Sequence, residues 1–319
     1  MPTAFITGIT GQDGSFLAEQ LLEQGWRVVG LVRRSASRNL WRLKGILGRV
    51  ELVDGDLLDL GSMIDAIREC RPDHVYNLAA QSFVATSWKQ PLLTGDVTGL
   101  GAARLLEAVR IAWPEARVYQ AGSSEMFGTA TDGLQSEDTS FHPRSPYGVA
   151  KVYAHHLAVN YRESHGMFVV AGILFNHESE RRGPEFVTRK IAQAVAAIRA
   201  GAQEYLHLGD ISVRRDWGFA GDYTRAMFAM LNQDSPRDFV IATGQSWSVE
   251  DFAARAFAVA DLDMQSHLRH DPTLLRPADI PVLCGDASRA RSTLNWAPSL
   301  SFDQLVERMV DAELRRLRE

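Results

Sequence analysis

Three glycines at a spacing of three constrain this chain more than any other feature. Ala4–Thr7 reads as a short strand, and Gly8-Ile9-Thr10-Gly11-Gln12-Asp13-Gly14 runs from it straight into the helical pattern of Ser15–Gln24. A GxxGxxG loop between a first strand and its helix is a spacing variant of the dinucleotide fingerprint. Glycines let the turn close tightly, and the helix N-terminus then points its free N–H groups at a pyrophosphate. Alone such a loop can be purely conformational; as the first βα unit of a longer series it points to a dinucleotide site.

That series is present. Arg27–Val32, Glu51–Val53, His74–Leu78, Val118–Ala121 and Val169–Phe175 read as further strands, separated by helical stretches at Gly61–Cys70, Thr98–Ala112 and Pro146–Ser164. Alternation of this kind builds a doubly wound parallel sheet of the Rossmann type. Ser145-Pro146 supplies an N-cap and a first-turn proline to the last of these helices. After about residue 175 the rhythm loosens. Glu185–Ala200, Ala220–Asn232, Val249–Val259 and Ser301–Leu317 read as helices, and Asn176–Pro184 as a loop. The expected division is a dinucleotide-binding domain over 1–175, with part of 213–245 returning to it, and a smaller, mainly substrate-binding lobe over 176–319.

Where the second strand ends, NAD sites usually place an acidic residue for the ribose hydroxyls; here stand Arg33-Arg34-Ser35. Two guanidiniums suit a 2′-phosphate, which they can bind bidentately, so the expected cofactor is NADP. Asp56-Leu57 after the third strand is expected beside adenine. Leu78, Ala79, Ala80 and Ser82 after the fourth are expected beside the nicotinamide ribose.

Tyr147 and Lys151 lie four apart and share a helix face. A lysine beside a phenol favours the phenolate, so Tyr147 is expected to serve as a base for a sugar hydroxyl, with Lys151 lowering its pKa. If strand geometry continues past Ala121, Ser123 and Glu125 face one side together. A plain reductase needs no carboxylate there; Glu125 suggests proton chemistry at carbon.

Composition narrows the class. The 319 residues carry a formal net charge of −5, which argues against nucleic-acid binding. Cys70 and Cys284 form no metal-ligand cluster, no metal is required, and two distant thiols fit a reducing compartment. No apolar run is long enough to span a bilayer and no leader pattern precedes the first strand, so the expectation is a cytoplasmic protein without membrane partners.

These residues carry a resemblance. GxxGxxG with YxxxK resembles the extended short-chain dehydrogenases/reductases. The segments Ile6–Gly14, Val32–Ser35, Tyr76–Ser82, Ser124–Gly128, Pro143–Lys151, Gly172–Ser179, Phe186–Ile191 and Arg215–Gly218, with Arg276-Pro277-Ala278, are similar to the GDP-mannose 4,6-dehydratases within that family. The resemblance implies Ser123, Glu125, Tyr147 and Lys151 as catalytic, and His177 and Arg182 as further NADP contacts. It implies Ser82, Ser123, Glu125, Asn176, Lys190, Arg215 and Arg276 at a nucleotide sugar, and a homo-oligomer, a dimer or tetramer. Three positions depart from the family pattern: Ser123 stands for threonine, Asp279 for glutamate and Glu180 for proline. The implied reaction is dehydration of GDP-mannose to GDP-4-keto-6-deoxymannose. A related GDP-sugar such as a heptose, a 4-keto-6-deoxy-sugar reductase, a 4-epimerase and an inactive NADP-binding protein are open alternatives at this point.

Overall fold

Among the residues that the computed structural model describes (1–129, 133–275 and 278–318), seven parallel strands form one sheet. They are β1 (Thr3–Thr7), β2 (Arg27–Val32), β3 (Glu51–Asp54), β4 (His74–Asn77), β5 (Arg117–Ala121), β6 (Val169–Leu174) and β7 (Phe239–Ile241), in the order β7-β6-β5-β4-β1-β2-β3. Every neighbouring pair runs parallel. The longer helices are α1 (Gln12–Glu23), α2 (Leu60–Cys70), α3 (Gly101–Ala112), α4 (Pro146–His165), α5 (Val187–Arg199), α6 (Ala220–Leu231), α7 (Val249–Val259) and α8 (Phe302–Arg316).

A parallel sheet covered on both faces needs strands that are apolar throughout, and β1 and β6 are buried at every residue. Side chains alternate between the faces. Ala4 and Ile6 join Leu17 and Leu21 of α1 and Met227 of α6 on one side. Phe5 joins Ile67 of α2 and Leu106 of α3 on the other. A third core lies in the later part of the chain, where Ile191 and Val195 of α5, Phe252 and Phe257 of α7, and Val306 and Met309 of α8 pack together. This is a doubly wound fold with a smaller C-terminal lobe. On either side of β1 the order departs in opposite directions, so the loops after β1 and β4 diverge and leave a crevice at the carboxyl ends of the strands.

The structure departs from the sequence expectations in places. β7 was not expected: Phe239-Val240-Ile241 is only three residues long, too short for its alternation to register, yet it is fully buried against β6. The expected helix from Thr98 has a different entrance, because Pro91–Thr94 leads into π-type turns over Gly95–Leu100 before α3 starts. The expected loop after Phe175 begins as a short strand, Asn176–Glu178, paired with Trp217–Phe219. The caps of α4 are as expected. The Ser145 hydroxyl accepts from Gly148 N, and Pro146 holds the first turn.

Candidate active site

The crevice is made by the glycine loop. Gly8 has φ +73°, and a Cβ there would lie 2.8 Å from the Ala79 nitrogen, so only glycine lets the loops after β1 and β4 approach this closely. A Cβ on Gly14 would lie 2.3 Å from the Gly8 carbonyl oxygen. Gly11 caps α1 and brings no side-chain acceptor, which leaves the first-turn N–H groups available to an anion. A cradle that side chains would fill, beside an uncapped helix N-terminus, fits a dinucleotide pyrophosphate.

The other expected cofactor positions fall around this cradle. Arg33, Arg34 and Ser35 are exposed on the loop after β2. The Thr10 carbonyl accepts from Arg42 Nη1 at 3.2 Å. Asp56 accepts from Leu58 N at 3.0 Å, and Leu57 is buried. The Leu78 and Ala79 N–H groups both donate to Thr7 Oγ1 at 3.1 Å. Ala80 is half-buried and Ser82 exposed at the crevice edge.

Beneath the crevice runs a buried polar chain that sequence reading missed. Thr7 Oγ1 donates to Asn77 Oδ1 at 2.7 Å, and Asn77 Nδ2 donates to Gln120 Oε1 at 2.8 Å. Gln120 Nε2 reaches the Ala121 carbonyl at 3.1 Å, and Lys151 Nζ donates to that same oxygen at 2.8 Å. Thr7, Asn77 and Gln120 end or nearly end β1, β4 and β5, so the chain stitches three strand ends to α4 and fixes the lysine. Satisfied buried networks of this kind rigidify a site. The one available signal was a polar residue at or next to the carboxyl end of each strand.

Tyr147 and Lys151 lie on the first turns of α4, both buried, with Lys151 Nζ 5.7 Å from the Tyr147 ring centroid. Burial pushes the Tyr147 phenol up to about 12, against a lowering by the Ser123 hydroxyl, while the Glu125 charge raises it further. Burial likewise brings Lys151 down to about 8, opposed by Asp13. Desolvation is the first cause of both shifts, and the Lys151 ammonium is fixed on the Ala121 carbonyl.

Ser123 and Glu125 also reach their places differently than expected. Strand geometry ends at Ala121; Ser123 is the last extended residue, and Ser124–Met126 turns in a 3₁₀ helix whose Glu125 N donates to Ser123 Oγ at 3.3 Å. A Cβ on Gly148 would lie 2.7 Å from the Glu125 carbonyl oxygen, so glycine next to Tyr147 allows this turn to press against α4. Ser123 and Glu125 are both half-buried there. A carboxylate, a hydroxyl and a phenol are thereby held at the carboxyl end of β5, one strand from β4.

The segment after β6 closes over the glycine loop. His177 Nε2 lies 2.8 Å from Asp13 Oδ2, and its Nδ1 donates to the Phe175 carbonyl at 2.7 Å. Gln12 Nε2 donates to the His177 carbonyl at 3.0 Å, so the Gln12 side chain faces protein. Arg182 pairs with Glu178 at 3.0 Å and lies over the Phe186 ring. Burial opposes charge on both members of the Asp13–His177 pair, but their mutual attraction wins: His177 titrates above its ordinary value and Asp13 below. The histidine's contribution to stability is complete below its unfolded value of ~6.5 and is lost as pH rises through the raised folded value. The aspartate's is complete above ~3.9 and lost as pH falls through its depressed value. We expect His177→Asn to lower the melting temperature by about 2–4 °C near pH ~5.5, with the gap shrinking towards pH ~9. A gap that stays constant across that range, followed by scanning calorimetry, would show that the charge pair contributes nothing.

The expected sugar-nucleotide contacts are more dispersed. Asn176 is half-buried at the start of its short strand. Arg215 is buried and donates to the Ile280 carbonyl and to Asp279 Oδ1, each at 2.7 Å. Lys190 Nζ donates to the His207 carbonyl at 2.7 Å and lines a cavity of about 460 Å³ with Leu206 and Arg316. Arg276 lies outside the described residues. A larger cavity, about 800 Å³, sits between the 91–100 segment and α4; neither cavity is lined by Ser123, Glu125 or Tyr147. Among the described residues no group of three or more His, Cys, Asp or Glu side chains could hold a metal ion, and no helix is long and apolar enough to cross a membrane.

Comparison with known proteins converges on one group. The family model for GDP-mannose 4,6 dehydratase matches residues 5–309. GDP-mannose 4,6 dehydratase 1 of Arabidopsis thaliana is 49% identical over 323 residues, covering 98% of this chain and 89% of the plant protein. The dTDP-glucose 4,6-dehydratase DesIV of Streptomyces venezuelae, solved with NAD, superposes with a TM-score of 0.88 at 22% identity, over 99% of this chain and 98% of that one. RMD of Pseudomonas aeruginosa, complexed with NADPH, gives a TM-score of 0.84 at 23% identity, over 99% and 100%. At those identities the two structures speak for the fold alone.

Proposed function

The chain belongs to the GDP-mannose 4,6-dehydratase family, and from that premise we propose that it is a hydro-lyase converting GDP-mannose to GDP-4-keto-6-deoxymannose with NADP. The observation that carries the reading is the half-buried Glu125, held on a turn against α4 beside Tyr147. A reductase or a 4-epimerase needs the phenol and lysine but no carboxylate at carbon. A nicotinamide dinucleotide suits the glycine cradle, and when bound it accepts a hydride from sugar C4 and returns it to C6.

The chain's own groups handle the protons. Tyr147 Oη removes the proton from O4 as the C4–H bond breaks. The ketone at C4 then acidifies the C5 proton, which the Glu125 carboxylate takes. The C6–O bond breaks, and Glu125 or Ser123 delivers a proton so that water leaves. Finally C6 gains a hydride and C5 takes the proton that Tyr147 removed from O4, which restores the ionised phenol, for a net loss of one water. Lys151, fixed on the Ala121 carbonyl, holds positive charge near the phenol through the cycle. Asn176, Lys190, Arg215 and Arg276 are assigned to the nucleotide sugar, the cations suiting a diphosphate. Residues 1–175, with part of 213–245, are assigned to the cofactor domain and 176–319 mainly to the substrate lobe, although Ile280, Leu283 and Trp296 also pack into the core of the sheet. The exposed apolar face of Leu92, Leu100, Val149 and Tyr153 supports a homo-oligomer built from second copies of this chain.

The test is incubation with GDP-mannose and a panel of other nucleotide sugars without added NADPH, with products weighed by mass spectrometry. Loss of one water from GDP-mannose is expected. Product that forms only when stoichiometric NADPH is supplied, or no mass change with any sugar, overturns the reading. Cofactor choice rests on Arg33 and Arg34. Replacing both with serine is expected to raise the NADP Kd about 10–100-fold, the scale of lost charge-assisted hydrogen bonds, while leaving NAD binding nearly unchanged. Equal losses for both dinucleotides, measured by calorimetry, would contradict a 2′-phosphate contact.

A further inference from the structure

The segment 176–182 is fastened on two sides by alternate side chains, and one of its fastenings has no part in the chemistry above. His177, Ser179 and Arg181 face α1: His177 meets Asp13, Ser179 Oγ donates to Gln12 Oε1 at 2.8 Å, and Arg181 Nη2 meets Glu19 at 2.8 Å. The even residues face the other lobe. Glu178 accepts from Thr188 Oγ1 on α5 at 2.7 Å. Glu180 is gripped by Arg308 of α8 in a bidentate pair, Nε to Oε2 at 2.7 Å and Nη2 to Oε1 at 2.8 Å. The Glu180 carbonyl accepts at 2.7 Å from both Arg189 of α5 and Arg316 of α8. Arg189 in turn pairs with Glu313 of α8 at 2.7 Å, with both side chains buried. Alternation along the extended residues Asn176–Glu178, followed by a turn in which Arg182 N donates to the Ser179 carbonyl at 3.1 Å, produces the division. The result is a strap whose odd side holds the glycine loop and whose even side holds the lobe built on α5, α7 and α8.

We propose that Glu180 is a positioning residue. By clamping the strap to α8 it makes occupation of the lobe by a nucleoside diphosphate and occupation of the glycine loop by the dinucleotide reinforce each other. The inference rests on the functional reading given above. Its logic is that a strap held at both edges transmits ordering: a ligand that fixes the lobe fixes the strap, and the loop then loses less freedom when the second ligand arrives. An Arg308–Glu180 pair that is partly exposed adds little to global stability, so its loss reads out in coupling and not in unfolding.

The experiment is calorimetric titration of the full-length protein with NADP, with and without saturating GDP. In the wild type, GDP is expected to tighten NADP binding by about fivefold or more. In Glu180→Gln and in Arg308→Gln the factor is expected to fall to about twofold or less, with melting temperatures nearly unchanged. The exchanged pair Glu180→Arg with Arg308→Glu is expected to recover much of the coupling. Wild-type coupling that persists in both single variants, or a wild type that binds both ligands independently, overturns the inference and leaves the functional reading standing. A wild type that does not bind GDP at all removes that reading and the inference with it.

Discussion

Glu125→Gln is expected to reduce dehydrated product by about 10³-fold, within the range that loss of a positioned general base costs. The substitution keeps the side chain's size and hydrogen-bonding reach but removes its ability to take a proton from carbon. The turn that carries it is secured by the backbone, through the Glu125 N bond to Ser123 Oγ and the close approach at Gly148, so the site should keep its shape. What distinguishes this variant is where the reaction stops. Oxidation at C4 depends on Tyr147, so mixing with GDP-mannose should still give a partial rise in reduced-nicotinamide absorbance. Water loss should not follow. Near-normal product formation by this variant would refute the role assigned to the carboxylate. The same variant should also lower the phenol's pKa, because the Glu125 charge is one of the influences that raise it.

Tyr147→Phe is the second large effect: a fall in kcat of about 10³-fold with KM changed little, since the ring stays in its packed position. Here even the partial absorbance rise should vanish, because nothing removes the O4 proton. Burial holds the phenol near 12 before ligands bind, so the wild-type rate should climb with pH through the neutral range as the reactive ionised form becomes more populated. Lys151, brought down to about 8 by burial, loses its charge at the alkaline end and should curb that climb. A phenylalanine variant that turns over within about tenfold of wild type, or that still shows the alkaline climb, would remove Tyr147 from the proton path.

The two substitutions separate because the fold holds the two residues proposed to handle protons by different means. Tyr147 is set by a helix that the sequence announces, from Ser145-Pro146 onward. Glu125 is set by a turn that strand periodicity does not announce. The expectation of a continuing strand does not describe this segment: Ser123 and Glu125 are both half-buried, and Glu125 lies on a 3₁₀ turn pressed on Gly148.

The sequence by itself determined the fold class, because parallel strands buried on both faces must be apolar throughout and their helices must carry period-3.6 stripes, and both patterns are local. It determined the glycine cradle for a similar reason, since the left-handed conformation at Gly8 and the contact at Gly14 admit no side chain. Only the tertiary structure decided how those parts are wired. The Thr7–Asn77–Gln120 chain to Lys151 spans residues more than a hundred positions apart. The phenol's pKa follows first from how much water the folded site excludes. The strap around Glu180 joins α1 to α8 through pairings no periodicity encodes. Hydrogen bonds and desolvation act over a few ångströms of space, whatever the separation along the chain, and those distances exist only once the chain has folded.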